Sequence, residues 1–282
     1  MTQPSGKNAT PADPAAADAR AAVATPMLRE NELGTVAVVG AGRLGRALVR
    51  GLQAAGVDVS GPHGRGYTGA RDDRHDDVVV LCVPDGEIAS AAARIVHGPV
   101  VGHCSGAGSL AVLAPHRAFS MHPVMTFTPD APPWVFDGVG AAIDADDPAD
   151  ERIATTLAVR LGMRPFSVAD RDRTAYHAAT AMAANFLVTL ESAAGTLMRS
   201  AGADPALLLP LARAALENWG RLGDAALTGP VARGDERTVR AHRNAIEERA
   251  PEMLPLFDAL VGATRRLATS VVDTSLHTRT LT

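Results

Sequence analysis

Between Val36 and Leu48 the chain reads VAVVGAGRLGRAL. An apolar, β-branched run meets three glycines in the spacing G-x-G-x-x-G: Gly40, Gly42 and Gly45. A helical pattern follows at once, with Leu44, Ala47, Leu48, Gly51, Leu52 and Ala55 on one face of residues 43–56. This order of strand, glycine turn and helix restricts the fold more than any other stretch. The first glycine permits a tight turn, the second lets a pyrophosphate approach the backbone, and the third lets helix and strand pack closely. The opened helix then offers free N–H groups and a partial positive charge to phosphates. Arg43 and Leu44, in its first turn, join the three glycines as candidate dinucleotide contacts. The plain alternative is a structural turn.

The same alternation continues downstream. Strands are expected at 57–61, 77–83, 99–105, 138–144 and 164–168, with helices at 87–96 and near 149–162. Repeated strand–helix units imply a doubly wound parallel α/β sheet of the Rossmann-like kind. From about residue 170 the strand signals stop. Helical patterns cover 171–202 and 205–223, a helix capped by Asp235 follows, and a last one begins near residue 251. The expected domains are therefore a tail at 1–33, a dinucleotide domain at 34–169 and an all-helical C-terminal domain at 170–282. The tail is rich in Ala and Pro and reads as disordered, with Met27 as an alternative start.

Composition narrows the function classes. Apolar residues make up 46% of the chain and charged residues 21%, values of a globular protein. A net charge of −4 gives no basic field for nucleic acid. No uncharged apolar run reaches about 18 residues, so no membrane span is expected. Two cysteines, Cys82 and Cys104, suggest no disulfide framework and fit a reducing cytoplasm. Neither a Walker loop nor a G-x-S-x-G elbow is present, and no tight metal-ligand spacing occurs.

Cofactor choice is read at the end of the second strand, where NAD enzymes usually place a carboxylate for the ribose 2′-OH. Here Asp58 comes early, and the end carries Ser60, His63 and Arg65. His63 and Arg65 suit a 2′-phosphate, which favours NADP. Arg65 as a solvated loop residue is the alternative. Val83 and Pro84, at the end of the third strand, are candidate backbone contacts to the cofactor.

Chemistry-bearing residues follow. The next strand ends in His103-Cys104-Ser105-Gly106, which places Ser105 near the nicotinamide. In SMHPVMTF, His122-Pro123 is expected to form a turn, with Thr126 and Thr128 as further hydroxyls. His122 is either a packed core histidine or the group that donates to a carbonyl and delivers the proton after hydride transfer. In the first C-terminal helix Tyr176, His177 and Asn185 interrupt a small-residue face, with His177 and Asn185 eight residues apart. That set also reads as the polar part of a helix–helix interface. In LTGPVARGD, Arg233 is a candidate partner for a substrate carboxylate or, equally, for Asp235.

Together, VAVVGAGRLGRAL, CVPD, HCSG, SMHPVMTF, YHAATAMAANFLVTL and LTGPVARGD resemble the two-domain predicted oxidoreductases that join a Rossmann-like domain to a helical domain of unknown function. More distantly, the chain is similar to pyrroline-carboxylate reductases, deazaflavin-dependent NADP oxidoreductases and ketopantoate reductases. The resemblance implies NADP binding, a small-molecule substrate in a cleft between the domains and a homodimer through the helical domain. The catalytic lysine that ketopantoate reductases resemble one another in using has no counterpart, since Lys7 is the only lysine. An arginine cannot replace it, because it holds its proton near pH 7. The expected function is NADP-dependent reduction of a small carboxylate-bearing ketone or imine, using His122, His177, Asn185, Ser105 and Arg233. A non-catalytic dinucleotide sensor and an NADP–deazaflavin hydride exchanger are the alternatives.

Overall fold

The computed structural model describes residues 33–71 and 74–280. The tail expected at 1–33 lies outside them except for Leu33, which is buried in the core. The chain divides at Ala181/Met182 into two compact units. The division falls inside a helical stretch rather than ahead of it.

The first unit is built on a seven-stranded sheet. In chain order its elements are β1 (Val36–Val39), α1 (Arg43–Ala54), β2 (Val59–His63), the short pair β3 (Ala70–Arg71) and β4 (Arg74–His75), β5 (Val78–Leu81) and α2 (Ile88–Ala92). Then come β6 (Val100–His103), β7 (Ala118–Pro123), β8 (Gly140–Ala145), α3 (Pro148–Arg160), β9 (Arg164–Ser167) and α4 (Arg173–Ala181). The sheet order is β2-β1-β5-β6-β7-β8-β9. All neighbours run parallel except β7 and β8, which are antiparallel.

Side chains sort by the two-residue period of a strand. Val36, Val38, Val78, Val80, Phe119 and Met121 enter one core with Leu48 and Leu52 of α1 and Leu157 of α3. Ala37, Val39, Val79, Leu81 and Val101 enter the opposite core with Ile88 and Ala92 of α2. Both faces are covered, which is why the central strands read as unbroken apolar runs.

AFSMHP corrects the sequence reading. It is a strand, not a turn after one, and it pairs with β6 on one side and β8 on the other. Its period was visible: Phe119 and Met121 face the core, while Ser120 and His122 alternate with them. The second strand also sits later than expected, ending at His63. The helix expected at 87–96 is short, a 3-10 turn at Asp85–Glu87 and then α2.

The second unit opens with a π-helical turn, Met182–Phe186, followed by α5 (Leu187–Ser200), α6 (Leu209–Leu222), α7 (Glu236–Arg249) and α8 (Leu254–Thr280). Asp235 caps α7 as expected, accepting from the Thr238 N–H at 3.1 Å. The helical run Asp170–Ser200 is long and apolar enough, by length and composition alone, to cross a membrane.

The three motif glycines divide by what surrounds them. Gly40 has φ +114° and sits against the Cys82 carbonyl, so a side chain there is excluded twice over. A Cβ on Gly45 would collide with the Gly40 carbonyl oxygen, whereas one on Gly42 meets nothing within 4 Å. Gly45→Ala should therefore cost about 1–3 kcal/mol, read as a fall of several degrees in Tm. Gly42→Ala should cost less than about 1 kcal/mol. Equal losses in thermal unfolding would contradict this division.

Candidate functional site

The carboxyl ends of β1, β2 and β5 converge on Gly40. Its N–H donates to the His63 carbonyl at 2.9 Å, and the Cys82 N–H donates to Val39 at 2.7 Å. Beyond Gly40 the chain enters α1, whose first residues are Arg43 and Leu44. No side chain caps this helix start, and its first turn holds no acidic residue. With the open space above Gly42, these features fit a pyrophosphate: N–H donors, a favourable dipole and room for close approach. Val83 and Pro84 follow β5 along the same edge, and Pro84 is extended at φ −55°, ψ 146°.

At the end of β2 the Ser60 hydroxyl lies 2.9 Å from His63 Nε2. The His63 ring stacks on Tyr67, centroids 3.8 Å apart and planes within 4°. Arg65 is exposed and donates to Glu87 at 2.9 Å. An exposed pair of this kind holds its partners by less than about 1 kcal/mol, so an incoming phosphate can displace it. Asp58 precedes β2, away from the strand end where a ribose-binding carboxylate belongs.

β6 and β7 end at the same edge and bring the chemical groups together. On β7, Ser120 and His122 lie on one face. On α4, Arg173, Tyr176 and His177 lie on one face at i, i+3 and i+4. The two faces meet in two rungs. The buried Arg173 donates to Ser120 Oγ at 2.5 Å and to Asp144 of β8 at 3.0 Å. Next to it, Tyr176 Oη lies 2.6 Å from His122 Nδ1. The His177 ring sits edge-on to His122, centroids 6.1 Å apart. Gly106, in the loop after β6, lies under both imidazoles. A Cβ there would come within 2.7 Å of His177 Cδ2 and 3.0 Å of His122 Nε2.

Electrostatics set the protonation of this cluster. Burial, then the charges of His177 and Arg173, push the His122 imidazole down to about 4. Burial pushes the Tyr176 phenol up to about 12, against the pull of Arg173. Burial also lowers His103, whose Nδ1 accepts from the Ser105 N–H at 3.2 Å. At neutral pH His122 is therefore a neutral hydrogen-bond donor and acceptor rather than a charged acid.

Ser105 is buried, and its hydroxyl accepts from the Ala107 and Gly108 N–H groups at 3.3 and 2.8 Å. It shapes the loop that carries Gly106. Cys104 is buried too, with its sulfur 3.8 Å from that of Cys82. Asn185 and Arg233 belong to the second unit, and both are exposed. Asn185 sits in the π-helical turn, so uniform α-helical spacing does not run from His177 to Asn185. Arg233 lies in a turn closed by its N–H to the Gly229 carbonyl at 3.2 Å.

Sequence reasoning noted Tyr176 only as a polar interruption and passed over Arg173, Ser120 and Asp144. The signals were the i, i+2 pair Ser120/His122 and the i, i+3 pair Arg173/Tyr176. Neither means much until the strand and the helix are known to face each other.

Residues 139–264 match a family described as a domain of unknown function, DUF2520. The match begins one residue before β8 and runs into α8, so it takes in the end of the sheet as well as helices. No curated protein matches the chain. Among solved structures, the chain is similar to a candidate NADP oxidoreductase of Bacteroides fragilis, at 20% identity and TM-score 0.71, over 83% of this chain and 99% of that one. It is similar to protein TM1727 of Thermotoga maritima at 25% identity and TM-score 0.67, over 83% and 98%. It also resembles a Plasmodium falciparum pyrroline carboxylate reductase with NADP bound, at 12% identity and TM-score 0.53, over 86% and 100%. The resemblance drawn from the sequence holds: a Rossmann-like sheet followed by a helical region, shared with NADP oxidoreductase structures.

The depressed histidine makes stability depend on pH. An unfolded histidine titrates near 6.5, so below that value the unfolded chain takes up a proton that folded His122 refuses. Stability should fall as pH drops from about 6.5 to 4, by up to about 3 kcal/mol from this group. In His122→Gln the difference in Tm between pH 7 and pH 4 should shrink. An unchanged difference would remove His122 as its source.

Proposed function

We propose that the protein is an NADP-dependent oxidoreductase that reduces a small ketone or imine. The observation that carries this is a shared edge. The open glycine loop with its uncapped helix start, and an imidazole with Nε2 toward a glycine, both stand at the carboxyl ends of one set of parallel strands. Ligands of open α/β sheets bind outside that edge. The likeness to NADP oxidoreductase folds supports the same reading. A carboxylate on the substrate rests on the resemblance, as does a cytoplasmic setting on the low cysteine number.

Bound along Gly40–Gly45, with Arg65 toward the 2′-phosphate, NADPH would supply the hydride. His122 would hold the accepting oxygen or nitrogen by its Nε2–H, and His177 would close the other side of the same small space. Hydrogen-bond and proton assistance of this kind is worth about 10²–10⁴-fold in rate.

Three measurements test this. NADPH should bind wild type and bind Gly42→Ala at least tenfold more weakly by calorimetry. Arg65→Ala should lose affinity for NADPH but not NADH. Against a panel of keto acids and cyclic imines, wild type should oxidise NADPH, and His122→Ala should turn over at least about 100-fold more slowly with NADPH affinity kept. NADPH binding without turnover on any substrate would point to a sensor instead.

We also propose that the second unit pairs with a second copy of the chain. Along α6, Leu211, Ala215, Trp219 and Leu222 form an exposed stripe at i, i+4, i+8 and i+11, and Leu207 and Leu209 flank its start. Contiguous exposed apolar surface marks an interaction site, and a stable dimer covers about 800 Å² on each partner. Leu211→Glu with Trp219→Glu should convert a dimer to a monomer in sedimentation. A wild-type monomer would overturn the pairing, and co-flotation with lipid vesicles would assign the stripe to a membrane instead.

A further inference from the structure

His122 does not stand alone, and its partners are fixed by the fold. Ser120 and His122 occupy one face of β7. Arg173 and Tyr176 occupy one face of α4, three residues apart. Because both pairs lie on facing sides of neighbouring elements, the two contacts form together: the Arg173 guanidinium reaches Ser120 and Asp144, and Tyr176 Oη lies 2.6 Å from His122 Nδ1. Arg173 is buried, and its attachment to two strands leaves α4 little freedom to rotate.

We infer that Tyr176 supplies the proton that His122 delivers, and that Arg173 is the positioning residue for both. Two neutral groups meet at Nδ1, and the phenol is the stronger donor, so its hydrogen points at the ring. That leaves the hydrogen of the imidazole on Nε2, toward Gly106, where only a glycine leaves room for both His122 and His177. The charged and titratable groups around His122 agree. From α4 come Arg173 and His177, and from the end of β6 comes His103, all opposing an imidazolium. Asp85, from the turn after β5, favours it but ranks behind burial, His177 and Arg173.

The proton step rests on the reductase reading and balances as follows. Bound NADPH would supply hydride to the carbonyl carbon, whose oxygen, taking the C=O π pair, would become an alkoxide. The alkoxide takes the Nε2 hydrogen, while Nδ1 takes the phenol hydrogen. His122 stays neutral with its hydrogen moved to Nδ1. Tyr176 is left as a phenolate, which burial opposes and the nearby Arg173 charge partly offsets, and a solvent water returns the proton and departs as hydroxide. This gives a site without lysine a proton source that His122, by itself neutral, lacks.

Nitrogen-15 spectra of histidine-labelled protein test the arrangement without NADPH or substrate. At pH 7 the His122 signals, assigned with His122→Gln, should show hydrogen on Nε2 only. Tyr176→Phe should bring the Nδ1–H form to a comparable population. Arg173→Met should do the same and raise the His122 titration midpoint. Arg173→Lys should restore the midpoint but not the Nε2 preference. Should Arg173→Met fail to fold, Ser120→Ala, which loosens one anchor, should show a partial loss of the preference. Hydrogen on Nδ1 in wild type, or an Nε2 preference unchanged in Tyr176→Phe, would overturn the inference. With any substrate the panel yields, Tyr176→Phe should lower kcat at least tenfold with KM for NADPH unchanged, and an unchanged kcat would overturn the relay. A protein that shows the spectra but never binds NADPH would overturn the reductase reading, and with it the proton delivery, while upholding the Tyr176–His122 hydrogen bond and the positioning by Arg173.

Discussion

The buried guanidinium of Arg173 joins three elements that sequence separates widely. Ser120 lies in β7, Asp144 in β8, and Arg173 itself at the start of α4. A charge removed from water needs partners on several sides, and here the two hydrogen-bonded ones come from the one antiparallel pair in the sheet, with Asp170 3.8 Å away on the other side. That pair puts Ser120 opposite Asp144 in register, so two acceptors stand side by side where the helix arrives. The geometry of the His122 cluster follows from this grip: Tyr176 and His177 are one turn further on, and His122 is two residues further along β7.

At the other end of the same edge the controlling constraint is steric. Gly40 and Gly45 are glycines because backbone atoms of the chain already occupy the places where side chains would go. Gly42 is different, since nothing in the protein fills the space beside it. The motif is thus two packing requirements and one open position. The open glycine loop and the histidine cluster share an edge because β1, β5, β6 and β7 are parallel, so their carboxyl ends coincide.

The second unit has a different economy. Among its described residues few apolar side chains are buried, Val239, Ile246, Ala250 and Val261 among them, while α6 exposes leucines and a tryptophan. Helices of this length stand mainly by burying an apolar face. The partner surface proposed for α6 would supply burial of that kind. The cavity of about 350 Å³ between α5, α7 and α8, with His242 on its lining, is apolar for the same reason.

Local chemistry was legible in the sequence. The glycine turn, the apolar strands, the start of α7 at Asp235 and the change from α/β to all-helical each depend on neighbours within a few residues. The sequence also marked His122 and His177 as candidates by residue type and position. It did not show that AFSMHP is a strand antiparallel to the next, because pairing direction is a property of two segments and not of one. Nor could it show that Ser105 shapes its own loop, or that Tyr176 and Arg173 stand behind His122. The contacts of Arg173 and Tyr176 span 53 and 54 residues of chain. Local propensity carries no information over that distance. Only the packing of α4 on β7 decides which polar groups meet: it gives His122 its Tyr176 partner, while burial first, and then the charges of His177 and Arg173, keep the imidazole neutral.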